Sequence, residues 1–177
     1  MATNHYTPKK KPARKSKTNW SKIFIVGLLG LALLAFILQA IPTGNRGGAS
    51  EPKFIDMGDL TILKADGTEV ATVDIEIAST PEQQQRGLMW RTSMEEDQGM
   101  LFLMDSLQPQ SFWMLNTYIP LDIIYLDDQK RIVSIAENTT PKSLDPVPSI
   151  EPALYVLEVN GGYAKRKGLE VGDRMEW

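Results

Sequence analysis

Cysteine is absent from this 177-residue sequence, and the single histidine, His5, lies near the start of the chain. Together these absences remove disulfides, thiolate nucleophiles, serine-histidine chemistry and the usual Cys/His zinc sites. A folded domain built from this chain must hold together by its core alone, whatever the redox state of its compartment. Acidic residues are missing from the first 22 positions, which carry seven cations: Lys9, Lys10, Lys11, Arg14, Lys15, Lys17 and Lys22. Residues 53–177 show the opposite bias, with 21 acidic against 11 basic side chains, so the net charge of −3 averages two segments of opposite sign. An acidic globular segment of this kind excludes nucleic acid as an expected partner.

Charge is also missing from residues 23–41, IFIVGLLGLALLAFILQAI. As a helix this run spans about 28 Å, which matches the hydrocarbon core of a bilayer. Its thirteen Leu, Ile, Val and Phe residues contribute on the order of −4 to −8 kcal/mol to insertion, before Gly and Gln39 are counted. A cleaved signal peptide has a shorter apolar core and a small-residue cleavage site; here the run ends in Gln39-Ala40-Ile41-Pro42. Residues 23–41 are therefore expected to be an uncleaved transmembrane helix. Seven cations precede it and only Arg46 closely follows, which places 1–22 in the cytoplasm, beside anionic lipid, and the remainder on the periplasmic side of the inner membrane.

Residues 42–52 (PTGNRGGASEP) read as a linker, and 53–177 as one exported β-rich domain. A hairpin opens the domain, with segments 60–64 and 70–78 around Asp66-Gly67. Val73, Ile75 and Ile77 alternate there with Thr72, Asp74 and Glu76. Thr80, Pro81 and Gln83 predict a capped helix start, and Gly87 a stop barely two turns later. Extended segments are expected at 99–104, 111–115, 123–127 and 131–138, with a turn at 128–130 and a Pro-rich loop over 141–152. Residues 154–159 are apolar on both faces, as a central strand would be. A second short helix over 160–167 is stopped by Gly168. The expected fold class is α+β and mainly antiparallel, a partly closed barrel or curved sheet with two short helices, preceded by the transmembrane helix.

At the level of motifs the chain resembles a known family. Glu76-x-Ala78-x-Thr80 is followed by Gly87-Leu88-Met89-x-Arg91, Gly99-Met100-Leu101-Phe102 and Phe112-Trp113-Met114-x-Asn116-Thr117. Ile119-Pro120-Leu121-Asp122, Leu157-Glu158 and Gly172-Asp173 complete the series. These motifs, over roughly residues 70–177, resemble the domain of unknown function 192 family. The resemblance implies a small β-rich bacterial or archaeal domain, often exported or membrane-tethered, with no established activity. Leu115 stands where the family often has Lys, so no cationic role attaches to that position.

Six residues are candidates for ligand binding: Arg91, Trp113, Asn116, Thr117, Asp122 and Glu158. As a strand, 112–117 would send Trp113, Leu115 and Thr117 to one side and Phe112, Met114 and Asn116 to the other. Trp113 then either fills the core or stacks on a ligand whose polar edge Asn116 fixes. Asp122 and Glu158 adjoin strongly apolar stretches and should have partners, because an unpaired buried carboxylate is costly. Arg91 is the expected one; backbone N–H groups are the alternative. If the two carboxylates faced each other across a cleft, they could act as acid and base on a glycosidic bond. Met89, Met94, Met100, Met104 and Met114 could suit Cu(I), but methionine serves more commonly as core filler, and neither metal nor other cofactor is expected. The functional expectation is a binding module for a small polar or saccharide ligand of the cell envelope, and not an enzyme. A protein-protein interaction domain, or a carboxylate-dependent hydrolase, is the alternative.

Overall fold

The computed structural model describes residues 51–177. The basic tail, the anchoring segment 23–41 and all but the end of the linker lie outside the described residues. Among the described residues no helix is long and apolar enough to cross a membrane.

The hairpin forms where the alternation places it. β1 (Asp59–Leu63) and β2 (Glu69–Ala78) pair antiparallel around Asp66-Gly67, where Gly67 takes a φ of +91° and the Asp66 carboxylate accepts the Thr68 N–H at 2.9 Å. Helix α1 (Pro81–Arg86) starts on a complete capping box. The Gln83 N–H donates to Thr80 Oγ1 at 3.3 Å while Gln83 Oε1 accepts the Thr80 N–H at 3.0 Å, which satisfies two helix-end donors reciprocally. Gly87 ends it at φ +46°. The chain then enters β3 (Gln98–Gln108), which runs parallel to β2. The α1 segment is thus the crossover of the sheet's parallel pair.

The remaining elements are β4 (Ser111–Phe112), β5 (Leu121–Leu126), β6 (Ile132–Ala136), β7 (Val147–Pro148), β8 (Ala153–Asn160), α2 (Tyr163–Lys167) and β9 (Arg174–Glu176). Seven strands make one sheet in the order β6-β5-β8-β3-β2-β1-β9, and β4 pairs with β7 in a separate ribbon. The long sheet curls until its two edges meet at one end. The Ile132 N–H donates to Asp173 O at 2.7 Å and the Met175 N–H to Lys130 O at 3.0 Å, so the expected partly closed, mainly antiparallel barrel with two short helices is found. Among the expected strands, 154–159 is β8, central between β5 and β3.

Two apolar clusters lie on the two faces of this sheet. Leu60, Ile62, Val73, Ile75, Leu101, Ile124, Leu157 and Met175 fill the enclosed face. The opposite face carries Met100, Phe102, Ile123, Tyr125 and Val156, covered by Leu88, Met114 and Ile119 from the connecting segments. Register makes this split unavoidable: Leu101, Leu157 and Ile124 stand side by side across three strands, and so do Met100, Glu158 and Ile123 one residue along.

Candidate functional site

The covered face is not fully filled. A cleft of about 230 Å³ lies between the C-terminal end of α1, the turn at Leu88-Met89, strands β3 and β4, and the segment after β4. Gly87, Met89, Phe102, Phe112, Trp113 and Glu158 line it, joined by Thr117 and by the polar side chains of Gln84, Gln85 and Arg86 at the helix end. Phe112 packs edge-on against Phe102, with ring centroids 5.0 Å apart, and against Tyr125 at 6.1 Å, a geometry that fixes the aromatic wall. The Tyr125 hydroxyl donates to Val147 O and so clamps the β7 ribbon over the sheet. Gly87 closes down on the base of the cleft. A Cβ there would stand 3.3 Å from Phe102 Cζ and 3.7 Å from Glu158 Oε2, so glycine leaves room beside the carboxyl that a side chain would take.

Glu158 is 4% exposed. Its position in β8 puts it in one row with Glu76, Met100 and Ile123. No protein donor lies within hydrogen-bond distance of its carboxyl among the described residues. Burial without a compensating cation or N–H disfavours the ionised form and pushes its pKa up to about 8. Burial, together with the neighbouring Glu158 charge, likewise pushes the Tyr125 phenol up.

The expected partnership between Arg91 and these carboxylates is not found. Arg91 forms a buried ion pair with Glu76 of β2 instead. Glu76 also accepts the Ile55 N–H at 2.7 Å, and the pair pins the start of the domain to the sheet. Asp122 takes the backbone alternative. Its carboxylate accepts the N–H groups of Asn138 at 2.7 Å, Gly162 at 2.8 Å and Ala164 at 2.8 Å, tying the end of β6 and the start of α2 to β5. Asp122 shares a face with Ile124 and Glu158 one with Ile123, so the two carboxylates point to opposite sides of the sheet and do not face each other across the cleft.

The segment 111–115 is a strand only at Ser111–Phe112. Beyond Phe112 the Met114 N–H donates to Ser143 O at 3.1 Å, and Asn116 turns the chain at φ +55°. The strand expected for 112–117 therefore ends at Phe112, although Trp113, Leu115 and Thr117 still share the cleft side, joined there by Phe112. Trp113 is 50% exposed at the cleft rim, whereas Met114 is fully buried, which removes Trp113 from the core. Thr117 lines the cleft with its hydroxyl 3.4 Å from Leu115 O. Asn116 is turned elsewhere, its side-chain amide 3.9 Å from Met89 Sδ and its backbone carbonyl accepting the Trp90 N–H at 2.8 Å. Of the six candidates the structure brings Trp113, Thr117 and Glu158 together, and sets Arg91, Asn116 and Asp122 apart from the cleft lining. Gly87, Met89, Phe102 and Phe112 were not foreseen as lining; all lie within the quoted motifs, but their apolar character reads as core. Of the five methionines, Met89 and Met104 line the cleft, while Met100 and Met114 are packed into the covered face with Met94 and Met104 against them. Among the described residues no group of three or more His, Cys, Asp or Glu is placed to hold a metal ion.

Comparison with known proteins agrees with this architecture. A protein of unknown function from Novosphingobium aromaticivorans DSM 12444 superposes with a TM-score of 0.64 at 40% identity, over 67% of this chain and 84% of its own. A protein from Sinorhizobium meliloti 1021, described as a "putative transcription regulator", superposes with a TM-score of 0.65 at 37% identity, over 70% of this chain and 97% of its own. No curated protein matches. Residues 61–177, which hold the curled sheet, Gly87 and Glu158, match the model of DUF192, "Uncharacterized ACR", and the chain belongs to that family.

Proposed function

We propose that the chain is a membrane-anchored, exported binding module whose cleft beneath Trp113 takes a small polar ligand. One observation carries the reading: a buried carboxyl, Glu158, stands without a protein partner at the base of an otherwise aromatic and aliphatic cleft. Such a group costs stability, and sites held at the expense of the fold are where ligands bind. The volume of about 230 Å³ is below the roughly 300–1,000 Å³ of pockets for drug-sized ligands, so the occupant is a small molecule or one end of a larger one. The lining offers the Glu158 carboxyl together with Gln84, Gln85, Arg86, Ser111 and Thr117 as polar groups, and the small volume favours a small polar ligand over an extended saccharide. A hydrolase with two carboxylates finds no support, because Asp122 is committed to three backbone N–H groups on the other face. The interaction-domain reading draws on the exposed rings of Trp90, Trp113 and Tyr118, which are of the kind that face a protein partner.

The anchored topology rests on the uncharged run 23–41 and the cations before it. A reporter active only outside the cytoplasm, fused after Trp177, is expected to be active, with the protein resisting a high-salt wash of membranes. A thermal-shift screen of small polar compounds and saccharides tests the cleft. Stabilisation that disappears in Trp113→Ala supports it; ligands that act equally on both proteins refute it.

A further inference from the structure

The chemistry of the cleft narrows its ligand further, an inference that rests on the binding reading above. The base is an acid that no protein donor satisfies, and its apolar walls are Phe102, Phe112, Trp113 and the thioether of Met89, with Gln84, Gln85, Arg86, Ser111 and Thr117 completing the lining. Rings and thioethers present polarizable, electron-rich surfaces that attract a cation. An anion could pair with Arg86 at the helix end but would meet the Glu158 carboxyl at the base. A hard metal ion would need six or more oxygens, where the cleft supplies one carboxyl. A primary ammonium carries three N–H donors that all need acceptors; Gln84, Gln85, Ser111 and Thr117 line the cleft besides Glu158 and supply some, but the Phe102, Phe112, Trp113 and Met89 side chains that make up its apolar wall supply none as strong. A nitrogen already covered by methyl groups needs no acceptors: its methyls match the rings and its charge matches the acid.

We propose that the cleft binds a methylated ammonium group, with Glu158 as counter-ion and Trp113, Phe112 and Phe102 as its walls. The group enters past Trp113, half exposed at the rim, and its substituent extends into solvent there. Gly87 permits the approach, because a Cβ at that position would stand beside Glu158 Oε2. Binding ionises the acid, so the complex forms at the cost of releasing its proton below the carboxyl's pKa of about 8. The other titratable groups around Glu158 are few. Tyr125 faces it from β5, Arg86 lies at the helix end of the cleft, and the Glu76–Arg91 pair sits two strands away in the same row, about 10 Å off at normal strand spacing.

Choline chloride is the probe, because its charge does not titrate and any pH dependence belongs to the protein. Its neutral carbon isostere, 3,3-dimethyl-1-butanol, has the same shape without the charge. Calorimetric titration of the full-length chain in maltoside detergent should show choline binding about tenfold tighter at pH 9 than at pH 7, following the ionised fraction of an acid with its pKa near 8. The isostere should bind at least about tenfold more weakly than choline at pH 9, the scale of one lost charge contact. Glu158→Gln should lose the pH dependence and Trp113→Leu, a change at an exposed position, should weaken choline at both pH values. Short-chain phosphatidylcholine added as competitor distinguishes a lipid headgroup from a free amine: displacement of choline assigns the former, no displacement the latter. Equal binding of choline and isostere, or tighter choline binding at pH 7, overturns the proposal. If choline fails while another compound stabilises the protein through Trp113, the ammonium assignment falls and the binding reading stands; if no compound does, both fall.

Discussion

Asp122 and Glu158 sit one register step apart on neighbouring strands, yet they do opposite jobs. Asp122 spends both oxygens on three backbone N–H groups, so its replacement leaves buried donors unsatisfied. Asp122→Asn puts an amide NH2 where acceptors are needed and should cost roughly 2–4 kcal/mol, read by urea unfolding of the fragment 50–177. Trp113→Ala should cost less than about 1 kcal/mol in the same measurement, because a half-exposed rim residue is not a core residue. A loss of about 3–5 kcal/mol, the scale of a buried aromatic truncation, would return Trp113 to the core. From sequence, both acids look alike: each is a carboxylate beside an apolar run. Their separation depends on which backbone loops back over which face: the N–H groups of Asn138, Gly162 and Ala164 reach Asp122 from 16, 40 and 42 positions along the chain.

At the scale of elements, features encoded by neighbouring residues are for the most part the ones that were legible in the sequence. The β1–β2 hairpin, the Thr80–Gln83 capping box, the Gly87 and Gly168 stops and the centrality of β8 each follow from residues within a few positions of one another. Segments decided by distant partners were not. β7 lies in what reads as a Pro-rich loop and β9 in the last few residues, each held by pairing with a remote strand. The parallel β2–β3 pair has no local signature of its own beyond the short helix between them. The strand expected at 111–115 stops at Phe112 because Asn116, four positions on, adopts a left-handed turn. The second helix starts at Tyr163 and not at residue 160, since Asn160 still pairs with Leu121 in β8. Gly87 shows how a local device doubles as part of the site: it stops α1 and opens the base of the cleft. Gly87→Ala should cost about 1–2 kcal/mol through its positive φ. It should also abolish any ligand-induced thermal shift, since the added methyl stands against Phe102 and beside the Glu158 carboxyl. A shift of wild-type size in Gly87→Ala would place the ligand elsewhere.

At the scale of the whole domain, two apolar clusters on either side of one curled sheet hold the fold, and one buried acid works against it. Net stabilities of such domains are roughly 5–15 kcal/mol, so a single unpartnered acid is a visible fraction of the total. In the unfolded chain Glu158 titrates near its ordinary value of 4.5, and in the folded protein near 8. Between those values the folded state holds more protons than the unfolded one, so stability is complete below pH 4.5 and declines as pH rises through 8. At pH 7 the loss attached to this one side chain is on the order of 3 kcal/mol. Glu158→Gln keeps the shape and removes the titration. The most direct test of the account is therefore the unfolding free energy of the fragment 50–177 as wild type and as Glu158→Gln, measured from pH 4.5 to pH 9. The two curves should diverge as pH rises, with the glutamine variant the more stable at pH 8, and stay parallel above it; curves that run parallel across the whole range would show that Glu158 already has a partner and that the cleft holds no unsatisfied acid.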